Sequence, residues 1–156
     1  KIINHYKLNN NSKILDIGCG KGFLLYELKK ILPGSEVKGI DISEYAIKNS
    51  KEEISNFLTL GNANNLPYKN KEFDLVISLN TLHNLYIFDL IKSLKEIQRV
   101  SKKNKYICVE SYRDEKEKVN LLYWQVTCEC FFTTEEWKWL FKEAGYKGDY
   151  SFIFFE

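Results

Sequence analysis

Leu15-Asp16-Ile17-Gly18-Cys19-Gly20-Lys21-Gly22-Phe23 decides the fold. It reads as the end of a buried strand, a turn with three glycines and the start of a helix. Glycine has no Cβ, so such a turn lets backbone N–H groups approach a ligand closely, at the positive end of a helix. Asp16 stands two positions before the first glycine, and Asp41 ends the next apolar stretch, Val37–Ile40. Taken singly, Asp16 could cap the turn and Asp41 could N-cap a helix. Together with the glycines they outline a pocket for a nucleoside-bearing cofactor.

Strands and helices alternate on either side of this stretch. Ile14–Ile17 is a first strand. Leu24, Leu25, Leu28, Ile31 and Leu32 follow at helical spacing, and Pro33-Gly34 stops that helix. After the second strand, Ser43 can N-cap a helix with Ala46, Ile47 and Ile54 on its core face. Phe57–Leu60 is a third strand, and the nearly continuous apolar run Phe73–Leu79 suits a central parallel strand. Ile87, Leu90, Ile91, Leu94 and Ile97 form a helical stripe before a fifth strand, Tyr106–Val109. Thr133-x-x-Glu136 is a capping box, followed by Trp137, Leu140, Phe141 and Ala144 and stopped at Gly145. Tyr150–Phe155 is a sixth strand. This alternation predicts an α/β fold, a Rossmann-like three-layer αβα sandwich on a mostly parallel twisted sheet of six or seven strands. The length, 156 residues, suits a single domain over 1–156.

Composition narrows the partners. A net charge of +2 gives no field that would draw nucleic acid or anionic lipid. The basic run Lys102-Lys103-Asn104-Lys105 lies between a helix pattern and a strand pattern and reads as a solvated turn. No apolar run approaches the roughly 20 residues of a membrane helix, and no signal peptide is visible. Cys19, Cys108, Cys128 and Cys130 lack further ligands at zinc spacing, so no metal is expected and the thiols are read as reduced. Cys128-x-Cys130 is expected to lie on one face of a strand. The expectation is a cytoplasmic monomer or homodimer with a small-molecule substrate and no nucleic-acid or membrane partner. The chain has no methionine, even at its first residue, which leaves a longer natural N-terminus open.

The cofactor can be narrowed further. The dinucleotide fingerprint has glycines in first, third and sixth place; here they occupy first, third and fifth, with Phe23 in sixth. A pyrophosphate gains nothing from a carboxylate such as Asp16, whereas a cofactor with an ammonium and a sulfonium does. An NAD-dependent oxidoreductase is therefore the weaker reading. Gly61-Asn62-Ala63-Asn64-Asn65-Leu66-Pro67-Tyr68 supplies an amide where an adenine edge could be read.

From Lys13 to its end the chain resembles class I S-adenosylmethionine-dependent methyltransferases. The resemblance is carried by the glycine motif, by Val37-Lys38-Gly39-Ile40-Asp41-Ile42-Ser43, by Gly61-Asn62-Ala63-x-x-Leu66-Pro67-Tyr68 and by Phe73-Asp74-Leu75-Val76-Ile77-Ser78. It implies S-adenosyl-L-methionine as cofactor and S-adenosyl-L-homocysteine as product. It also implies Asp16 and the backbone of Gly18, Cys19 and Gly20 at the methionine end, with Gly22 completing the turn. Asp41 would then meet the ribose hydroxyls, Ile42 the adenine face, Asn62 and Ala63 the adenine edge, and Leu79 the methionine portion. Relatives commonly carry Asp where this chain has Asn62, whose carbonyl oxygen can still accept. Many also carry a longer N-terminal helical region over the cofactor, where only Ile2, Ile3, His5 and Tyr6 are available here.

The acceptor side is less determined. Ser78-Leu79-Asn80-Thr81-Leu82-His83-Asn84-Leu85-Tyr86 lacks the Asn/Asp-Pro-Pro-aromatic motif of enzymes that methylate exocyclic or amide nitrogens, and resembles the family's small-molecule branch. An oxygen nucleophile needs a base. His83 is the first candidate, because its intrinsic pKa is near neutral, although a packing role suits it almost as well. Glu110 and Tyr112 are the next candidates, and Tyr86, Trp124 and Trp139 could line a pocket. The segment Ser111–Phe132 breaks the alternation. It either closes over a substrate or forms a surface helix and a core-packing strand. Leu122–Phe132 could replace the family's seventh strand, or that strand is absent. The competing functional reading is a catalytically inactive methyltransferase-fold binding or partner subunit.

Overall fold

In the computed structural model, which describes residues 1–156, β1 (Lys13–Ile17) lies in the middle of a six-stranded sheet. β2 (Glu36–Asp41) and β3 (Leu58–Leu60) extend it on one side. β4 (Phe73–Leu79), β5 (Ser101–Glu110) and β6 (Asp149–Ile153) extend it on the other, giving the order β3-β2-β1-β4-β5-β6. Every pairing is parallel. The strand order reverses between β1 and β4, where sheets of this kind bind ligands beyond the carboxyl ends of their strands.

Helices cover both faces, as expected for a three-layer sandwich. They are α1 (Ile2–His5), α2 (Phe23–Ile31), α3 (Glu44–Lys48), α4 (Glu52–Ser55), α5 (Ile87–Val100), α6 (Glu115–Trp124) and α7 (Thr134–Glu143). Alternation along β1 feeds two cores. Ile14 packs with Leu25 and Leu28 of α2 and Ile54 of α4. Leu15 and Ile17 pack with Leu90 and Leu94 of α5 and Trp137 and Phe141 of α7. The capping box of α7 forms as predicted, with Glu136 accepting the Thr133 N–H at 2.7 Å. At the start of the chain, Ile2 and Ile3 pack on the α2 core, and the Tyr6 hydroxyl donates to Asp149 Oδ2 at 2.8 Å.

Three local expectations are corrected. The helix expected from Ser43 to Ile54 is broken into α3 and α4. Asn49 Nδ2 donates to Tyr45 O and Ser50 Oγ to Ile47 O, so side chains compete with the helical ladder, and Lys51 turns extended. The basic run at 102–105 is strand rather than turn. α5 runs directly into β5, a bulge shifts the pairing with β4, and Lys105 is buried with its Nζ on Lys103 O at 2.9 Å. The segment 111–132 yields α6 and then an irregular strap over 125–132, so Cys128 and Cys130 lie on no strand and Leu122–Phe132 supplies no seventh one.

Candidate active site

The glycine turn connects three loops. Gly18, Gly20 and Gly22 have φ of +74°, +53° and +76°. Gly18 is constrained twice, because a Cβ there would lie 1.9 Å from Thr81 Oγ1. That approach joins the turn after β1 to the turn after β4, across the reversal point. A Cβ on Gly20 would meet nothing within 4 Å, so its backbone faces open space. The N–H groups of Gly18 and Cys19 donate to Ile40 O at 2.8 and 3.2 Å. The Gly20 N–H donates to Asp41 Oδ2 at 2.7 Å, and Asp41 Oδ1 accepts the Ser43 N–H at 2.8 Å. A carboxylate has about four acceptor positions, so Asp41 can still receive further donors.

A cleft opens beside this turn. Ile17, Gly18, Ile40, Asp41, Ile42, Gly61, Asn62, Ala63, Thr81 and Leu85 line it. Ile42 is 71% exposed and presents an apolar side chain at the rim. Asn62 Oδ1 accepts the Asn64 N–H at 3.1 Å, leaving the Asn62 amide donors and a second lone pair. The loop is anchored on α5. Glu96 accepts the Leu66 N–H, and Arg99 donates to Leu66 O and Tyr68 O.

Asp16 lies under the turn, 4% exposed, and its carboxylate makes no hydrogen bond. Burial, with the charge of Asp41 adding to it, raises its pKa to about 7. A buried carboxylate without a partner is costly until a cation neutralises it. Cys19 turns its side chain into the α2 core, where burial foremost and the charges of Asp16 and Asp41 push the thiol up to about 12. Leu79 packs against the same core, and Gly22 N-caps α2. Of the residues singled out from sequence, Gly18, Asp41, Ile42, Asn62 and Ala63 meet in the cleft, and Asp16 and Gly20 adjoin it.

His83 follows β4 in a short 3₁₀ turn, Leu82–Asn84, and is 0% exposed. Its Nδ1 accepts the Glu110 N–H at 3.3 Å, which assigns the ring proton to Nε2. That atom faces Glu110 Oε2 at 3.5 Å, and neither atom has a hydrogen-bond partner. Burial keeps the imidazole neutral down to about 4. Burial also raises the Glu110 pKa, against a lowering by the hydrogen bond from Gln125 Nε2 to Glu110 Oε1. The strap closes over both side chains. Its Glu129 and Cys130 N–H groups donate to His83 O at 3.0 and 2.9 Å, Thr127 Oγ1 donates to Asn84 Oδ1 at 3.0 Å, and Cys130 Sγ donates to Leu85 O at 3.1 Å. Beneath the strap both His83 and Glu110 are closed off from solvent.

Tyr112 is held elsewhere, bridged to Thr133 with Lys118 Nζ 5.4 Å from its ring centroid. Trp139 is 62% exposed and lines no part of the cleft. The buried Trp137 donates its Nε1–H to Glu110 O at 3.0 Å. Sequence reasoning marks 80–86 as one segment but does not single out Thr81 or Leu85, and it misses Gln125. Each matters through a contact with a residue far away in the chain. No group of three or more His, Cys, Asp or Glu is placed to hold a metal ion, and no helix is long and apolar enough to cross a membrane.

The architecture is that of a doubly wound α/β protein with a cleft at its reversal point. A family profile described as a methyltransferase domain matches residues 8–145. The chain belongs to this family, the class I S-adenosylmethionine-dependent methyltransferases. It is 39% identical over 89 residues to the mitochondrial arginine-hydroxylase NDUFAF5 of Homo sapiens, covering 56% of this chain and 25% of that protein. It is 33% identical over 117 residues to the demethylmenaquinone methyltransferase of Staphylococcus carnosus, covering 71% of this chain and 48% of that one. The chain thus spans between a quarter and a half of the length of these relatives. A Haloferax volcanii protein solved in complex with the Trm112 methyltransferase activator shares the fold, with a TM-score of 0.72 and 22% identity over 91% of this chain and 66% of that one.

Proposed function

We propose that this chain binds S-adenosylmethionine in the cleft and transfers its methyl group to a small-molecule acceptor in the cytoplasm. Asp16 carries the reading. A carboxylate nearly buried beside the glycine turn without a hydrogen bond, close to the second carboxylate of Asp41, suits a cofactor with an ammonium and a sulfonium. Asp16 and the backbone of Gly18 and Gly20 would hold the methionine end. Asp41 would accept the ribose hydroxyls, Ile42 would cover adenine, and Asn62 and Ala63 would meet its edge. When bound, the cofactor supplies an electrophilic methyl carbon on a sulfonium.

The chain itself contributes alignment and the exclusion of water. As the acceptor takes the methyl carbon, the C–S bonding pair returns to sulfur, and with a neutral hydroxyl acceptor the positive charge leaves as the proton, so a base is the one charged group the step needs. A hydroxyl acceptor has to lose its proton. Once the strap lifts, the Glu110 carboxylate would receive it, with the Nε2–H of the neutral His83 beside its Oε2 to orient it. Similarity to a demethylmenaquinone methyltransferase supports a small-molecule acceptor. A related sequence carrying an arginine-hydroxylase name means that likeness of fold does not by itself fix the chemistry, which rests on the site.

Calorimetric titration with S-adenosylmethionine tests the cofactor. Binding that weakens by about tenfold or more in Asp41→Ala and Gly20→Val supports the site, since each loses about 1.4 kcal/mol or more; full affinity in both overturns it. A tritiated methyl group offered with cell extract tests the acceptor. Label in the low-molecular-weight fraction supports the reading, and label on macromolecules alone refutes it. Tight cofactor binding without transfer to any fraction would make the chain a non-catalytic subunit.

A further inference from the structure

The strap crosses the carboxyl edge of the sheet from β6 towards β4. Just before it, the ring of Trp124 stacks on Phe155 with centroids 6.0 Å apart. Gln125 then lies over the end of β5, on Glu110. Thr127 and Cys130 reach the turn after β4, at Asn84 and Leu85. The surface along this line is apolar. Tyr86, Phe88, Tyr123, Trp124 and Val126 are all exposed, Val126 at 96%. Leu85, next to Tyr86, is itself a wall of the cofactor cleft, so the apolar seam is continuous with that cleft.

Two segments supply this seam, Leu79–Phe88 and Val119–Cys128. Neither contains Asp, Glu, Lys or Arg, although 28% of the chain is charged and ten residues would carry about three such groups. Exposed apolar side chains on two charge-free segments that the strap's hydrogen bonds bring together suit a binding surface better than a merely solvated one. A charged acceptor lying there would give up hydration without meeting a counter-ion on either segment.

We infer that the methyl acceptor is an uncharged, largely apolar small molecule whose non-reacting body lies along this seam, against Tyr86, Tyr123, Trp124 and Val126. The inference rests on the methyl-transfer reading of the adjoining cleft. Nile red, an uncharged apolar dye, probes the seam by fluorescence titration without cofactor. Saturable binding is expected. It should be about tenfold weaker in the Trp124→Ser/Val126→Ser double variant and unchanged by salt up to about 0.5 M. The absence of saturable binding, equal binding by the double variant, or displacement of the dye by salt would overturn the inference. Co-sedimentation with phosphatidylcholine vesicles, lost in the double variant, would assign the seam to a lipid surface and overturn the small-molecule occupant. The cofactor titration is read separately. Failure of the dye experiment therefore leaves the cofactor site standing, and failure of the cofactor experiment is recognised on its own.

Discussion

Replacing Asp16 with asparagine keeps the shape of the side chain and removes its charge. The folded carboxyl titrates at about 7 instead of 3.8, because burial and then the charge of Asp41 oppose ionisation. Between those two values the folded state keeps a proton that the unfolded chain has released, so stability falls as pH rises through the window. The full difference is about three pH units at 1.36 kcal/mol each, or about 4 kcal/mol against the folded state well above pH 7. From about pH 5.5 to 8.5 the part that changes is about 2 kcal/mol. Without cofactor, Asp16→Asn should therefore gain on the wild type by about 2 kcal/mol over that range, or about 4–8 °C in Tm. Thermal unfolding followed by circular dichroism at the two ends of the range measures the gap.

The same residue links stability to the ligand. A cationic group beside Asp16 lowers its pKa, so cofactor binding at about pH 6 should expel about 0.9 proton from the wild type and almost none from Asp16→Asn. Calorimetry in buffers of different ionisation enthalpy counts these protons. Asp16→Asn should also bind the cofactor more weakly while being the more stable protein, which separates a loss of function from a loss of fold. A stability gap that does not move with pH, or equal proton release by both proteins, refutes the assignment of Asp16 as a buried carboxylate waiting for a cation.

Two further outcomes follow from the packing. Gly18→Ala combines a φ of +74° with a Cβ 1.9 Å from Thr81 Oγ1. Its expected cost is about 2–4 kcal/mol from left-handed strain and overpacking; urea unfolding within about 1 kcal/mol of the wild type would contradict the contact. Gln125→Ala removes the side-chain hydrogen bond that ties the strap to Glu110. A loss of about 1–2 kcal/mol, with faster hydrogen exchange confined to Glu129, Cys130 and their neighbours, is expected, and unchanged exchange there would show that the strap is held by its backbone contacts alone.

Much of the fold was legible because several local signals agreed. At Leu15–Phe23 an apolar strand, glycines able to adopt positive φ and a helical stripe all require the same strand–turn–helix. The capping box at Thr133 was readable because its two hydrogen bonds lie within one turn. The errors arose where neighbouring groups competed. Asn49 and Ser50 bond back to carbonyls and split a helix that periodicity alone would continue. The lysines at 102–105 looked like a solvated turn, yet backbone pairing with β4 through a bulge draws them into a strand, where Lys102 pairs with Asp74 and Lys103 stays exposed.

The two halves of the site differ in legibility for a physical reason. The proposed donor side is built from backbone geometry and from short motifs, so spacing alone already picks out Gly18, Gly20, Asp16 and Asp41 as its candidates. The acceptor side is assembled by tertiary approach. His83 at the end of a strand looks like an accessible base until Glu129 and Cys130, from a distant segment, bond to its carbonyl and enclose it. No local pattern records that closure. Composition does record something coarser, since Leu79–Phe88 and Val119–Cys128 both exclude charge before any contact between them is known. A motif can specify a cofactor because many different acceptors are served by the same donor geometry. The acceptor is specified by the chemical character of whichever surfaces the fold brings beside the donor, and here those surfaces are apolar.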